Sequence, residues 1–171
     1  MGKTLILSAP RVQRTLNRMA YEIMERNRGA ENLELVGIRS RGTALAEALA
    51  KQISAVEPRQ FHVSKLDVAP YRDDRDTGVP VEDQSVVPVD LADRDVILVD
   101  DVLFTGRTAR AALDGIVYYG RPRSVQLAIL VDRGHREYPI QPDFTGRVIP
   151  TKHRERVVVS VDQGFSIFIV E

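Results

Sequence analysis

The chain has no cysteine, which excludes disulfides and thiolate metal sites together. Its three histidines, His62, His135 and His153, are scattered, so a structural zinc site is not expected either. No apolar stretch approaches the roughly 20 residues of a membrane span. The opening MGKTLILSAPRVQRT holds too short an apolar run for a signal peptide. A cytoplasmic protein with no membrane partner is expected. An excess of one charge is also missing, because 24 basic residues balance 24 acidic ones. That excludes a protein that coats nucleic acid by bulk charge and leaves room for a local basic patch. Lysine is scarce, with Lys3, Lys51, Lys65 and Lys152 the only four, and the remaining basic residues are arginines.

What is present is an ordinary globular balance, 43% hydrophobic and 28% charged over 171 residues, enough to bury a core without staples. One domain over residues 1–171 is expected. From Ser8 to about Asn27, Val12, Leu16, Met19, Ala20 and Ile23 recur at helical spacing. Ser8 is placed to cap this helix, Pro10 is tolerated in its first turn and Gly29 ends it. Residues 33–38 read as a strand. Residues 43–56 read as a second helix, with Leu45, Leu49 and Ile53 on one face and Glu47 four residues before Lys51. Residues 61–68 read as another strand, and 69–90 as a loop dense in charge and broken by prolines at 70, 80 and 88. The unbroken apolar run 96–99 suits a strand buried on both faces. A third helix is predicted over 108–119, with Ala109, Ala112, Leu113 and Ile116 facing in, followed by a buried strand over 125–131. Residues 132–154 are polar and proline-broken. Residues 157–161 and 165–170 flank Asp162-Gln163-Gly164 as a hairpin. Strands alternating with helices imply an α/β fold with a mostly parallel twisted sheet flanked by helices. Ligands of such sheets sit at the carboxyl ends of the strands, here just after Ile38, Val68, Val99 and Val131.

The segment that carries chemistry runs Val96-Ile97-Leu98-Val99-Asp100-Asp101-Val102-Leu103-Phe104-Thr105-Gly106-Arg107-Thr108. Two carboxylates follow a buried strand, and a short Thr/Gly/Thr loop then enters a helix. A helix N-terminus presents unpaired N–H groups and the positive end of the dipole, so it binds phosphate. Gly106 permits close backbone approach and the threonine hydroxyls add donors. Acids beside a phosphate cradle make sense when a ribose diol, or Mg2+ on a pyrophosphate, lies between them. Neither GxxxxGK[ST] nor GxGxxG occurs, which speaks against a P-loop and a dinucleotide site. An acidic pair here could also serve only to cap a helix.

The segment resembles the 13-residue signature of type I phosphoribosyltransferases, which bind phosphoribosyl pyrophosphate (PRPP), and it fits throughout. The resemblance implies a fold with a small hood and a C-terminal hairpin. It also implies that Asp100 and Asp101 face the ribose hydroxyls. Val102, Leu103, Phe104, Thr105, Gly106, Arg107 and Thr108 then form the PRPP or UMP phosphate loop. Gly37-Ile38-Arg39-Ser40-Arg41-Gly42 resembles the pyrophosphate loop of the same superfamily, with Arg39 and Arg41 as catalytic cations and Ser40 beside them. The loop around Tyr71-Arg72-Asp73-Asp74 resembles the mobile loop that closes over the site and excludes water. No direct metal ligands are implied, since Mg2+ arrives with PRPP.

The wider chain narrows the resemblance. Leu130-Val131-Asp132-Arg133-Gly134-His135-Arg136-Glu137, together with the basic first helix and Pro150-Thr151, is similar to the PyrR family of pyrimidine-operon regulators that are also uracil phosphoribosyltransferases. The likeness runs from about Leu5 to the end. Departures fall at Pro70, over 73–78, and at Lys152-His153. The family implies uracil, PRPP and UMP or UTP as small-molecule partners, with the base near Val131 and Asp132. It also implies the mRNA leader of pyrimidine genes as a regulatory partner and a homodimer or higher oligomer. Arg11, Arg14 and Arg18 fall within roughly 60° on the helical wheel, opposite the apolar stripe, and Glu22 is placed to pair with Arg18 and Arg26. Arg14, Asn17, Arg18, His135, Arg136 and Lys152 are the expected RNA contacts. No aromatic platform is expected among them, so RNA specificity should rest on polar contacts. Two other readings stay open: a regulator with little catalysis, and a purine phosphoribosyltransferase without an RNA role.

Overall fold

A computed structural model describes residues 2–74 and 78–171. Arg75 and Asp76 of the charged loop lie outside the described residues. The elements in order are β1 (Lys3–Leu7), α1 (Ala9–Arg26), β2 (Leu33–Ile38), α2 (Arg39–Ser54), β3 (Ser64–Leu66), β4 (Asp95–Leu103), α3 (Arg107–Ile116), β5 (Ser124–Asp132), β6 (Phe144–Val148), β7 (Arg156–Ser160) and β8 (Ser166–Val170). Five strands form a parallel sheet in the order β3-β2-β4-β5-β6. The other three form a small antiparallel sheet, β1-β8-β7.

The central strands are buried on both faces, and their alternation sorts two cores. Ile97 and Val99 of β4 point to the side of α1 and α2, with Leu16, Met19, Ile23, Leu45, Leu49 and Ile53. Val96 and Leu98 point to the side of α3, with Ala109, Ala112 and Ile116. Each large apolar side chain here would cost about 2–5 kcal/mol if truncated to alanine. The small sheet joins the first core through Leu7, Val159 and Ile167, which fastens it above the carboxyl end of the large one.

Several boundaries differ from the sequence reading. Ser8 is the N-cap of α1, but its side chain makes no capping hydrogen bond. The second helix starts at Arg39 rather than 43, because the pyrophosphate-type loop is itself the first helical turn. The strand read over 61–68 shrinks to Ser64–Leu66. Residues beyond it form a 3-10 turn, Ala69–Tyr71. Leu113 is 39% exposed, and Ala111 and Gly115 are buried in its place. The reason is tertiary: the Tyr71 ring packs on the flank of α3 at Gly115 and rotates the covered stripe. The third helix ends at Ile116 and continues as a 3-10 turn to Tyr119. The stretch 132–154 contains a strand after all, β6, which pairs in parallel with the edge of β5. At the amino end, β1 pairs with β8.

The loop after β3 is tied down at its base. Lys65 and Val86 exchange backbone hydrogen bonds. Asp67 accepts from the backbone N–H groups of Ala69 and Gln84. Asp83 Oδ2 accepts from the hydroxyls of Tyr71 (3.1 Å) and Tyr119 (2.9 Å). Burial, and then this bond to Asp83, pushes the Tyr71 hydroxyl up to about 12. Tyr119→Phe removes one of the two bonds at a partly exposed site and is expected to cost about 0.5–1 kcal/mol in a thermal melt.

Candidate active site and basic surface

β2 ends at Ile38 while β4 runs on beside β5 to Leu103, carrying Asp100 and Asp101 past the end of β2. A cavity of about 620 Å³ opens there, lined by Arg39, Ser40, Arg41, Asp100, Asp101 and Thr108 among others. The two carboxylates and the two loop arginines read from sequence as site residues therefore meet in one space. Val161, from just beyond β7, forms part of the wall. No sequence signal marked it, since it lies 60 residues past Asp101 and carries no chemistry of its own.

Asp100 is 9% exposed. Burial, and then the neighbouring charge of Asp101, pushes its carboxyl well above the usual range, against the pull of Arg39. Its Oδ1 accepts from the Asp101 backbone N–H, and Asp101 Oδ1 accepts from that of Val102, both at 2.9 Å. A buried carboxylate with so little positive charge around it is suited to a hydroxylic or cationic ligand. Arg39 has φ 56, a conformation that costs a non-glycine residue about 1–3 kcal/mol and tends to persist at functional sites. The Thr43 hydroxyl steadies it by donating to Arg39 O (2.5 Å). Arg41 Nε donates to Val159 O (3.0 Å), which ties this loop to the small sheet.

Gly42 is where the first turn of α2 meets β4. A Cβ there would stand 2.4 Å from Val99 O, and neither backbone can yield cheaply. Gly42→Ala is expected to cost about 1–3 kcal/mol by overpacking and to raise the KM for PRPP by moving Arg39 and Arg41 off Asp100. A melt and a PRPP titration read the two effects.

The loop expected from sequence to cradle a phosphate is Thr105–Thr108, at the N-terminus of α3. Gly106 caps α3 at φ 92, a left-handed conformation that glycine adopts without strain. The backbone of Glu137 and Tyr138 donates to Thr105 O and buttresses the turn. Leu103 is in the core beneath α3. Arg107 turns its guanidinium outward to Asp73, Glu137 and Tyr138, so only its backbone faces the cradle. The charged loop reaches the same place. Arg72 Nη1 donates to Thr108 Oγ1 (2.9 Å), and Asp73 accepts from Arg107 and from the Tyr138 hydroxyl (2.5 Å).

Past β5, Val131 is buried and Asp132 opens onto a second cavity of about 620 Å³, lined also by Arg136, Tyr138, Ile140 and Val148. Burial pushes the Asp132 carboxyl up, but Arg136 and the Gly134 N–H outweigh it and hold it below its ordinary value. Arg136 also donates to Phe104 O and Ile140 O, so its guanidinium is occupied internally rather than offered to a surface. His135 and Lys152 are exposed.

The basic face of α1 is present. Arg11, Arg14 and Arg18 line a cavity of about 310 Å³ together with Arg147 from β6, a residue whose strand the sequence hid. Arg18 is the most constrained: it pairs with Glu22 at 2.6 Å and donates to Gly146 O. Arg26 pairs with Asp143 rather than Glu22. Asn17 is half-buried and accepts from Gln13. Aromatic rings do stand among the basic residues: Phe104, His135 and His153 cluster edge to face at 5.4–5.8 Å. The sequence hid this cluster because Phe104 lies about 30 and 50 residues away from the two histidines; its rings meet by their edges, and Arg133 covers the Phe104 face.

Among the described residues, no three acids or histidines gather to hold a metal, and no helix is long and apolar enough to cross a membrane. Residues 3–163 match the family model described as the phosphoribosyl transferase domain. The bifunctional protein PyrR of Deinococcus radiodurans is 50% identical over 171 residues, covering 99% of this chain and 93% of that protein. The PyrR of Bacillus subtilis is 47% identical over 165 residues, covering 94% and 91%. Among solved structures, the hypoxanthine phosphoribosyltransferase of Trypanosoma cruzi superposes with a TM-score of 0.75 at 15% identity, over 97% of this chain and 95% of that one. At that identity the likeness is one of fold.

Proposed function

The chain belongs to the phosphoribosyltransferase family, and within it to the bifunctional PyrR proteins, and from that premise we propose that it transfers the ribosyl phosphate of PRPP to uracil and regulates pyrimidine genes by binding their RNA. The observation that carries the enzymatic half is the single cavity in which Asp100, Asp101, Arg39, Arg41 and Thr108 converge. Asp100 and Asp101 take the ribose hydroxyls. The N-terminal N–H groups of α3 and the hydroxyls of Thr105 and Thr108 take the 5′-phosphate. Arg39 and Arg41 lie where the pyrophosphate departs and stabilise its growing charge. The bond from the anomeric carbon to pyrophosphate breaks, uracil N1 bonds to that carbon, and the N1 proton is lost. Positioning and leaving-group stabilisation dominate in an oxocarbenium-like transition state.

The acid pair, without a third protein ligand, fits a Mg2+ carried in on the substrate; when bound it neutralises charge on the pyrophosphate. Arg72, on Thr108, and Tyr71, anchored on α3, place the charged loop beside the cradle, where it excludes water. The base is received near Val131 and Asp132. The protein acts in the cytoplasm as a homodimer or larger assembly, with UMP or UTP as the nucleotide sensed.

The test is conversion of labelled uracil to UMP with PRPP and Mg2+. Product with uracil and none with hypoxanthine is expected. Product only with hypoxanthine would overturn the pyrimidine reading, and no product with either would leave a regulator alone.

A further inference from the structure

Arg133 lines the cavity beside Asp132, but ribosyl transfer gives its charge no partner. It sits at the end of β5, 5% exposed. Among the described residues its hydrogen bonds go only to neutral acceptors: Nε donates to Thr151 Oγ1 (3.0 Å), and Nη2 to Lys152 O (3.1 Å) and His153 O (3.2 Å). Burial lowers its pKa, and Glu155 opposes this only from a distance. Its guanidinium lies 3.9 Å over the centre of the Phe104 ring. A buried cation facing no carboxylate is costly. What it supplies in return is geometry, because a flat fork holds several acceptors at once and stacks on a ring, which lysine cannot do.

The two ends of this contact belong to the two halves of the proposed function. Phe104 directly precedes Thr105, the first residue of the phosphate cradle. On the other side, Lys152 and His153 are exposed, and His135 Nε2 donates to Thr151 O (2.6 Å). The rings of His135 and His153 both abut Phe104. A shift of the cradle around a phosphate moves Phe104. Arg133 then moves with the ring it covers and carries the Thr151 side chain and the backbone of Lys152 and His153, which it holds by three bonds.

We infer that Arg133 is the positioning residue that couples the nucleotide site to the RNA surface, passing occupancy of the cradle through Phe104 to the Thr151-Lys152-His153 segment. This rests on the reading above that one chain binds both UMP and RNA. Coupling of this kind is reciprocal, so RNA must tighten UMP binding by the same factor as UMP tightens RNA binding.

The experiment measures the Kd of an RNA hairpin from the leader of the host's own pyrimidine-biosynthesis genes, with and without saturating UMP, and uses its reverse complement as control. The full-length parent is compared with Arg133→Lys and with Thr151→Val, which removes the acceptor of Nε and the hydroxyl's own bond to Arg133 O. UMP affinity is measured separately. In the parent, UMP is expected to tighten RNA binding by a factor in the range of roughly 5–150. In Arg133→Lys the factor falls to near one. Arg133 also lines the cavity beside Asp132, so the factor is taken between RNA Kd values at saturating and at zero UMP, where a weaker Kd for UMP does not enter. Thr151→Val falls between, and it decides the matter if Arg133→Lys does not fold. A purely structural role would weaken RNA binding equally with and without UMP and leave the factor unchanged; that result overturns the inference alone. A parent that binds no RNA, or binds it without regard to UMP, overturns the regulatory reading and the inference with it.

Discussion

Asp100→Asn is expected to melt at a higher temperature than the parent at neutral pH and to form UMP about 10²–10³-fold more slowly in kcat/KM, the usual loss when one preorganised transition-state contact is removed. Both halves come from one carboxyl group. Asp100 is buried beside Asp101, and burial holds its pKa well above the ordinary carboxylate value. A group whose pKa is raised by folding contributes its full stability below the unfolded pKa and loses it as pH rises through the folded one. At neutral pH the folded protein therefore carries a carboxyl that burial wants neutral. Asparagine removes that conflict and keeps an Oδ1 for the Asp101 N–H, for a gain of about 1–2 kcal/mol, on the scale of a buried polar group left short of partners. The gap between the two melts should close as pH falls below about 4, where the unfolded carboxyl is also protonated. PRPP with Mg2+ should raise the parent's melt more than the variant's, because the parent alone has a charge for the ligand to satisfy. A variant that melts lower than the parent at neutral pH would refute this account of Asp100. Unchanged turnover would remove it from the ribose site.

Arg14→Gln with Arg147→Gln should weaken binding of the leader RNA and flatten its salt dependence. Each lost phosphate contact lowers the slope of log K against log salt by about 0.7–0.9, so the pair should reduce it by about 1.5. The two residues line one cavity with Arg11 and Arg18, but Arg18 is the wrong choice for this test. It also anchors β6 through Gly146 O and pairs with Glu22, so its removal mixes folding with binding. Conversion of uracil should be unaffected, since neither Arg14 nor Arg147 lines the cavity that holds Asp100 or the one beside Asp132. A slope equal to the parent's would take this face out of RNA recognition.

The parts of the molecule that were legible in the sequence share a cause. β2 and the middle of β4 were legible because strands buried on both faces are largely apolar: residues 96–99 are wholly so, and Leu33–Ile38 breaks the run only at Glu34, which Arg59 and Arg94 pair. Asp100, Asp101 and the cradle are nine contiguous residues, so their chemistry is local. What was missed depends on distant partners. β6 reads FTGRV and is a strand only because Ala128–Asp132 offers an edge. The first turn of α2 was hidden behind Gly42, which looks like a breaker and is instead a close contact with Val99. Arg147 and Val161 carry no motif and enter their sites through tertiary packing. Arg136 was read as a surface cation, and the Asp132 that holds it inward sits only four residues earlier, a spacing that sequence alone could have flagged.

The pairing of β1 with β8 sets an order of events in the cell. The first strand to leave the ribosome must wait for one of the last, and Arg41 waits for Val159, a contact 118 residues apart. Chains grow at about 5–20 residues per second, and a domain folds as a unit. The wall over the nucleotide cavity is unmade until β7 and β8 have been synthesised, and the basic surface waits for Arg147 on β6. A nascent copy therefore completes both sites late and nearly together. Supply of the regulator is thus timed by the completion of its carboxyl-terminal hairpin.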